Sequence, residues 1–360
     1  MTYPMMIVGR GAITPVGLSA PSTCAAVRAH ISSFSESGLF HKSFTGDAAV
    51  GMDRIVHAQV PIFLPEMGYS DFDRQSKFAA LAIRECAATR ITNLRETALI
   101  VGIREDYRQH PHFGTEDRDW LAAIAQELGT TFHEQSRVIR EGHTSVFHGL
   151  AIAQELLCNK IVRTCIVGGV DSYLNVYDIE RLERGYRILG PKVSRGLVPG
   201  EGAAFIGVTT ASTASTHSDA DRRICVMGVG LAKEDSSATV LSDGHPVGRG
   251  LERALEAAVI DAAVPESCID LRISDLIGEL YRCDDSLLAA IRFYKTYRSH
   301  LEIWHPADCV GDIGAASGAM SLILGWAGMS RGYAAGTAMC ESSSDSGDRA
   351  CCIIARSHVH

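Results

Sequence analysis

No stretch of this sequence approaches the roughly 20 consecutive apolar residues that a bilayer-spanning helix needs. Its opening, Met1 to Pro15, has no basic n-region, and its apolar run is too short for a secretory signal. Positive charge is in deficit. The 360 residues carry a formal net charge of −8, which gives no electrostatic reason to bind nucleic acid or an anionic membrane. The eleven cysteines, Cys351 and Cys352 being neighbours, lack the paired CxxC spacing of a zinc site. An odd count without a secretory signal fits a reducing compartment, where cysteine acts mainly as a small buried hydrophobe. Gly9-x-Gly11 and Gly228-x-Gly230 do not continue as GxGxxG, which removes the nucleotide-loop reading. The expectation is a soluble, cytoplasmic protein without cofactor or metal.

What is present is ordinary globular composition, 46% hydrophobic and 21% charged, enough for a large core and for two domains or two halves of one α/β unit. Short β-rich runs alternate with amphipathic helical runs. Strands are expected at 5–9, 98–103, 164–168, 203–208, 224–229, 273–277, 333–339 and 351–355. Helices are expected at 21–30, 75–89, 120–128, 145–157, 250–263, 286–297 and 315–327. The polar segment 211–221 is the linker candidate, dividing the chain into halves 1–210 and 222–360. The halves resemble each other. Gly142-His143-Thr144-Ser145 through Gly149 and Gly311-Asp312-Ile313-Gly314 through Gly318 each open an apolar helix with two glycines seven apart, at a constant offset of 169. A pseudo-twofold would bring the two helix N-termini, which favour negative charge, to one central place.

These features resemble the thiolase superfamily and, within it, the β-ketoacyl-(acyl-carrier-protein) synthases. The opening run Val8 to Gly17 is similar to their first strand and turn. Phe72-Asp73-Arg74 resembles their Met-Asp-Arg, Gly168-Gly169-Val170-Asp171 the strand end after their nucleophile helix, and Gly200-Glu201-Gly202-Ala203 their Gly-Glu-Gly-Ala. Gly311 to Ala319 looks like their Gly-His helix start. The resemblance implies a thiolase fold: two pseudo-twofold-related βαβαβαββ halves in five α-β-α-β-α layers. Superfamily members usually dimerise, so it also implies a homodimer or heterodimer.

The departures bear on activity. The resemblance places His143 where such enzymes hold a cysteine at a helix N-terminus, with Ser145 two residues on and no evident base beside it. No histidine stands in Ile277 to Asp284, where their first catalytic histidine is expected; Glu279 is there. Asp312 replaces the second histidine, the supporting lysine falls near Ala307, and Ser344-Asp345-Ser346-Gly347 stands for their Gly-Phe-Gly-Gly gate. Decarboxylative condensation needs a thiolate and two neutral imidazoles, and carboxylates there would repel a developing oxyanion. The expected catalytic set is therefore none, with His143, Ser145, Glu279 and Asp312 as degenerate positions. Two sharper readings stay open: His143, Asp312 and Glu279 as a new acid–base or metal set, and His143 with Ser145 as a hydrolytic pair.

The same resemblance implies function by protein contact. One expectation is an adaptor or co-chaperone in effector loading, similar to thiolase-like proteins of bacterial type VI secretion clusters. Another is a silent subunit beside an active ketosynthase, similar to chain-length factors. A third is an acyltransferase or hydrolase with a site rebuilt at His143. Expected partners are a secretion effector or adaptor, or a ketosynthase or acyl carrier protein. The basic run Arg181, Arg184, Arg187, Lys192 and Arg195 reads as a solvated loop, with an acidic partner or a phosphopantetheine group as the alternative. His110-Pro111-His112 reads as an exposed loop.

Overall fold

A computed structural model of the chain describes residues 4–37, 55–64, 67–88, 90–106, 115–191, 193–210, 224–235, 239–240, 244–334 and 336–356. The linker candidate 211–221 and the run His110 to His112 lie outside the described residues. The first half holds β1 (Met5–Ile13), α1 (Ala20–Arg28), β2 (Phe34–Ser37), β3 (Ile55–Ala58), α2 (Asp71–Ala87), β4 (Thr97–Gly102) and α3 (Asp117–Leu128). It continues with β5 (Arg137–Ile139), α4 (Ser145–Cys158), β6 (Thr164–Ser172), α5 (Val176–Arg184) and β7 (Glu201–Thr210). The second holds β8 (Ile224–Lys233), α6 (Arg249–Ala262), β9 (Leu271–Ser274), α7 (Leu280–Phe293), β10 (Glu302–Trp304), α8 (Ala307–Val310), α9 (Ser317–Arg331), β11 (Thr337–Ser343) and β12 (Asp348–Arg356).

The main sheet runs β10-β9-β11-β12-β8-β1-β7-β6-β4-β5. Its two halves have one topology. In sequence order each is 1-5-4-2-3: β1-β7-β6-β4-β5 and β8-β12-β11-β9-β10, with two antiparallel pairings followed by two parallel ones. They join where Met5 and Met6 of β1 face Val226 and Cys225 of β8. The paired glycines of β1 and β8 find their use here. A Cβ on Gly11 would lie 1.9 Å from the Ala82 carbonyl oxygen of α2, and one on Gly230 would lie 2.0 Å from that of Ala254 in α6. Both pairs let an outer helix lie against the sheet, a close approach only glycine permits.

The helices α4 and α9 carry the central core: Val146, Phe147, Leu150 and Leu157 of one, Met320, Leu322, Ile323 and Met329 of the other. Both are apolar nearly all round, as helices buried on most of their surface must be. The outer helices α1 and α2 are amphipathic and capped by side chains. Ser70 and Asp73 form a reciprocal capping box on α2, and Ser19 and Ser22 do so on α1.

Three sequence expectations are corrected. The helix placed at 286–297 is α7, starting six residues earlier. Arg282 and Asp285 are buried and paired, Asp285 accepting from Arg349 Nε at 3.0 Å, so their polarity hides the helical period. The strand placed at 333–339 is β11, Thr337–Ser343, because α9 runs on to Arg331. The basic run is not a solvated loop throughout. Arg181 and Arg184 lie on α5, capped by Asn175, Arg184 being exposed there, and Arg187 is largely buried against Glu279 and Asp345; Arg195 fits the solvated-loop reading, while Lys192 lies outside the described residues.

Candidate functional site

The N-terminal turns of α4 and α9 meet at the centre. Each helix is entered through a single 3₁₀ turn, 142–144 and 314–316, whose first glycine has positive φ, +55° at Gly142 and +51° at Gly314. The helices start 172 residues apart (145 to 317), three more than the repeat read from sequence. The residues at the 169 offset are those that touch: His143 Nε2 lies 2.7 Å from Asp312 Oδ1, both side chains buried.

The pair sits in a cage of charge. Asp312 Oδ1 also accepts from the Gly314 amide at 2.9 Å, and Asp171 Oδ2 accepts from the Ala315 amide at 3.1 Å. The electropositive N-terminus of α9, where an oxyanion would be stabilised, is thus filled by the chain's own carboxylates. Asp171 is in turn held by Arg104 at 2.5 Å, and Arg104 also holds Asp178. On the other side Arg282 Nη2 faces His143 Nδ1 at 3.5 Å and donates to Asp345 Oδ1 at 2.9 Å, while its Nε lies 3.4 Å from Glu279. Arg187 bridges Glu279 and Asp345, its Nη1 donating to Asp345 Oδ2 at 2.7 Å.

The protonation follows from this cage. Burial opposes a charge on His143, yet the Asp312 carboxylate outweighs it and the imidazole is held above its ordinary range. Asp312 is driven the other way: burial favours its neutral form, but His143 and then Arg282 hold it ionised below the usual carboxylate range. In either protonation state of the ring, Nε2 carries the proton donated to Asp312, and Nδ1 faces a guanidinium. Both ring nitrogens thus face groups of the chain itself.

Of the sequence candidates, His143 and Asp312 are brought together. Glu279, the residue before α7, joins them only through Arg282 and Arg187. Ser145 does not join. Its Oγ donates to the carbonyls of Ile103 and Ile139, each at 3.2 Å, and accepts from the Glu141 amide at 3.0 Å, so it fastens α4 to the sheet, and no hydrogen bond joins it to His143 among the described residues. No group of three or more His, Cys, Asp or Glu able to hold a metal ion occurs among the described residues. Residues 344–345 reach the site, with Ser344 Oγ 3.1 Å from Thr144 Oγ1 and Asp345 inside the cage. Sequence reasoning missed Arg104, and it gave no part in the site to Arg187, Arg282 or Asp345, which lay in the basic run or in segments compared with the family's motifs. A buried ion pair leaves no local pattern that would have marked them.

His143 lines a small cavity. The cavity beside it, lined by Arg104, Glu105, Asp171, Tyr173 and Asp345 among others, measures about 10 Å³, room for about one water. A larger recess of ≈ 320 Å³ reaches Asp312 from the Leu189, Ile277 and Ala307 side. No thiol among the described residues is activated where a shift is resolved: burial pushes Cys24 up to about 11 and raises Cys165, Cys283, Cys309 and Cys340 as well.

Two matched motifs instead form one structural contact. Arg74, from the Phe-Asp-Arg segment, donates to Glu201, from the Gly-Glu-Gly-Ala segment, at 2.5 Å with both ends buried. Glu201 further accepts from Ser172 Oγ at 2.9 Å and the Val60 amide at 3.0 Å.

Sheet order, the paired central helices and the site between their N-termini define the fold of the ketosynthases in the thiolase superfamily. The chain matches the ishigamide ketosynthase/chain length factor structure at a TM-score of 0.78 and 17% identity, covering 99% of this chain and 100% of that one. It matches a type II polyketide synthase acyl-carrier protein complex with its ketosynthase (AntDE:AntF) at 0.79 and 14%, covering 99% and 100%. A ketosynthase in complex with its chain length factor from Xenorhabdus doucetiae gives 0.76 and 14%, covering 99% and 98%. No family model and no curated protein sequence matches the chain. At these identities the likeness is one of fold. No helix among the described residues is long and apolar enough to cross a membrane.

Proposed function

We propose that this chain is a non-catalytic thiolase-fold subunit that works by protein contact, as the silent half of a ketosynthase-type pair. The observation that carries the reading is the His143–Asp312 contact inside its arginine and carboxylate cage. It occupies the place of a nucleophile and an oxyanion donor with two groups that satisfy each other, beside a cavity of about 10 Å³. Condensation needs a thiolate to carry the acyl group and donors free to meet the enolate oxygen. Pairing is supported by likeness to chains from ketosynthase/chain length factor structures along almost the whole length. It is also supported by β5, a three-residue edge strand at the end of the sheet, where a partner's strand can add.

Two measurements test this together. Intact mass is read after incubation with acyl-CoA and acyl-carrier thioesters, and native mass spectrometry follows co-expression with candidate ketosynthases. Unchanged mass and a stable one-to-one complex are expected. An acyl adduct lost on changing a central residue would return the chain to the condensing enzymes. A secretion effector or adaptor as the stable partner would replace the pairing and leave the non-catalytic reading in place.

A further inference from the structure

The outward face of α7 is apolar where solvent should make it polar. Leu280, Leu287 and Ile291 are 45%, 58% and 66% exposed. At 3.6 residues per turn they fall within an arc of about 40°. That arc lies opposite the buried Arg282, Ala289 and Phe293. A helix packed on one face ordinarily turns polar residues outward, and clustered exposed apolar side chains mark contact surfaces. The nearest charged side chain of the helix is Asp284, about 20° beyond the edge of the arc. Tyr186, 76% exposed and held at a φ of +52°, precedes the arginine that grips Glu279, the residue just before Leu280. Exposed tyrosine is a typical anchor of protein contacts.

Basic side chains stand at both ends of the stripe. Exposed Arg195 precedes Gly196, whose carbonyl oxygen would lie 3.3 Å from a Cβ on Gly278, two residues before α7. Arg292 and exposed Lys295 stand at the other end of the stripe. Neither Arg195 nor Lys295 has an ion-pair partner among the described residues. In a chain of net charge −8 this is a local reversal.

We infer that the α7 stripe is a docking surface for an acidic amphipathic helix of a partner protein. Leucine- or isoleucine-type side chains of that helix cover Leu280, Leu287 and Ile291, and its carboxylates meet Arg195, Arg292 and Lys295. A second copy of this chain fits poorly, because a twofold contact would set one basic rim against the other. The stripe belongs to the half of the sheet that ends in β10, and the edge strand β5 ends the other. The inference therefore stands apart from the ketosynthase pairing, and both surfaces can be occupied at once.

The test places a photo-crosslinking phenylalanine analogue at Leu287 of the full chain in its native host and sequences the peptide it captures. That peptide is then synthesised and titrated against the purified protein by fluorescence anisotropy. Expected are an acidic peptide with apolar residues at helical spacing and affinity that falls at least tenfold in Leu287→Glu/Ile291→Glu. Affinity should also fall with salt and stay unchanged in Ile161→Glu, an exposed apolar position in the other half. Thermal melting of each variant confirms folding. Absence of an adduct, an adduct to a second copy, a basic or neutral peptide, or binding indifferent to the α7 substitutions would each overturn the inference.

Discussion

Nε2 of His143 stands 2.7 Å from Oδ1 of Asp312, across 169 residues of sequence and between the N-terminal turns of two helices. The two side chains are buried and each satisfies the other. Breaking a buried pair costs more than the pair contributes, because the remaining charge has no water to turn to.

Asp312→Asn should therefore destabilise the fold by about 3–5 kcal/mol, since it leaves Arg282 and His143 facing an amide. The pair also sets a pH window. Asp312, depressed below 3.8, contributes stability above that value and loses it as pH falls through its lowered folded value. His143, raised above 6.5, contributes fully below 6.5 and loses it as pH rises through its raised folded value. The wild-type minus Asp312→Asn difference should thus be largest between pH 3.8 and 6.5, read by urea unfolding across pH.

Restoring the nucleophile alone should not restore chemistry. In His143→Cys the thiol would face the Asp312 carboxylate, which raises its pKa and repels an acyl oxyanion. Intact-mass analysis with acyl-CoA donors should show no adduct. Rapid stoichiometric acylation of this variant would mean that the cage opens.

The Glu141–Asp348 contact should make stability fall as pH rises. Burial, and then Asp348, push the Glu141 carboxyl up to about 7, so the folded state keeps a proton that the unfolded chain releases from about pH 4.5 upward. Lys233, Glu105 and His148 also face this pair. Stability from Glu141 is full below pH 4.5 and gone once pH passes 7. Glu141→Gln should flatten that slope in thermal melts between pH 5 and 8.

Arg74 and Glu201 offer a cleaner double-mutant cycle, being 1% and 0% exposed. Glu201→Leu alone should cost about 3–5 kcal/mol by stranding the guanidinium, and Arg74→Met in the same chain should recover most of it. Equal losses in the single and double variants would place the cost in Ser172 and Val60, which also donate to Glu201.

Much of the fold was legible because patterning and motif order act locally. Apolar runs located eight of the strands, and Gly142 and Gly311 pointed to two helix starts at one centre. The slips fell where charge is buried. The first turns of α7 look polar because Arg282 and Asp285 find partners inside, and α5 was read as loop because Asp178 and Arg181 pair across it. A sequence pattern cannot separate a solvated arginine from one gripped by two carboxylates sixty or more residues away.

The sequence by itself determined which residue types stand at these positions: no cysteine at 143, no histidine at 312 and none between 277 and 284. Residue type settles that without coordinates. Only the tertiary structure decided how the residues that are there meet. Whether His143 and Asp312 form a new acid–base site or a neutralised pair depends on distance, burial and the arginines around them. Those are set by how two halves of one topology bring α4 and α9 end to end, a relation between segments 169 residues apart that no local rule encodes.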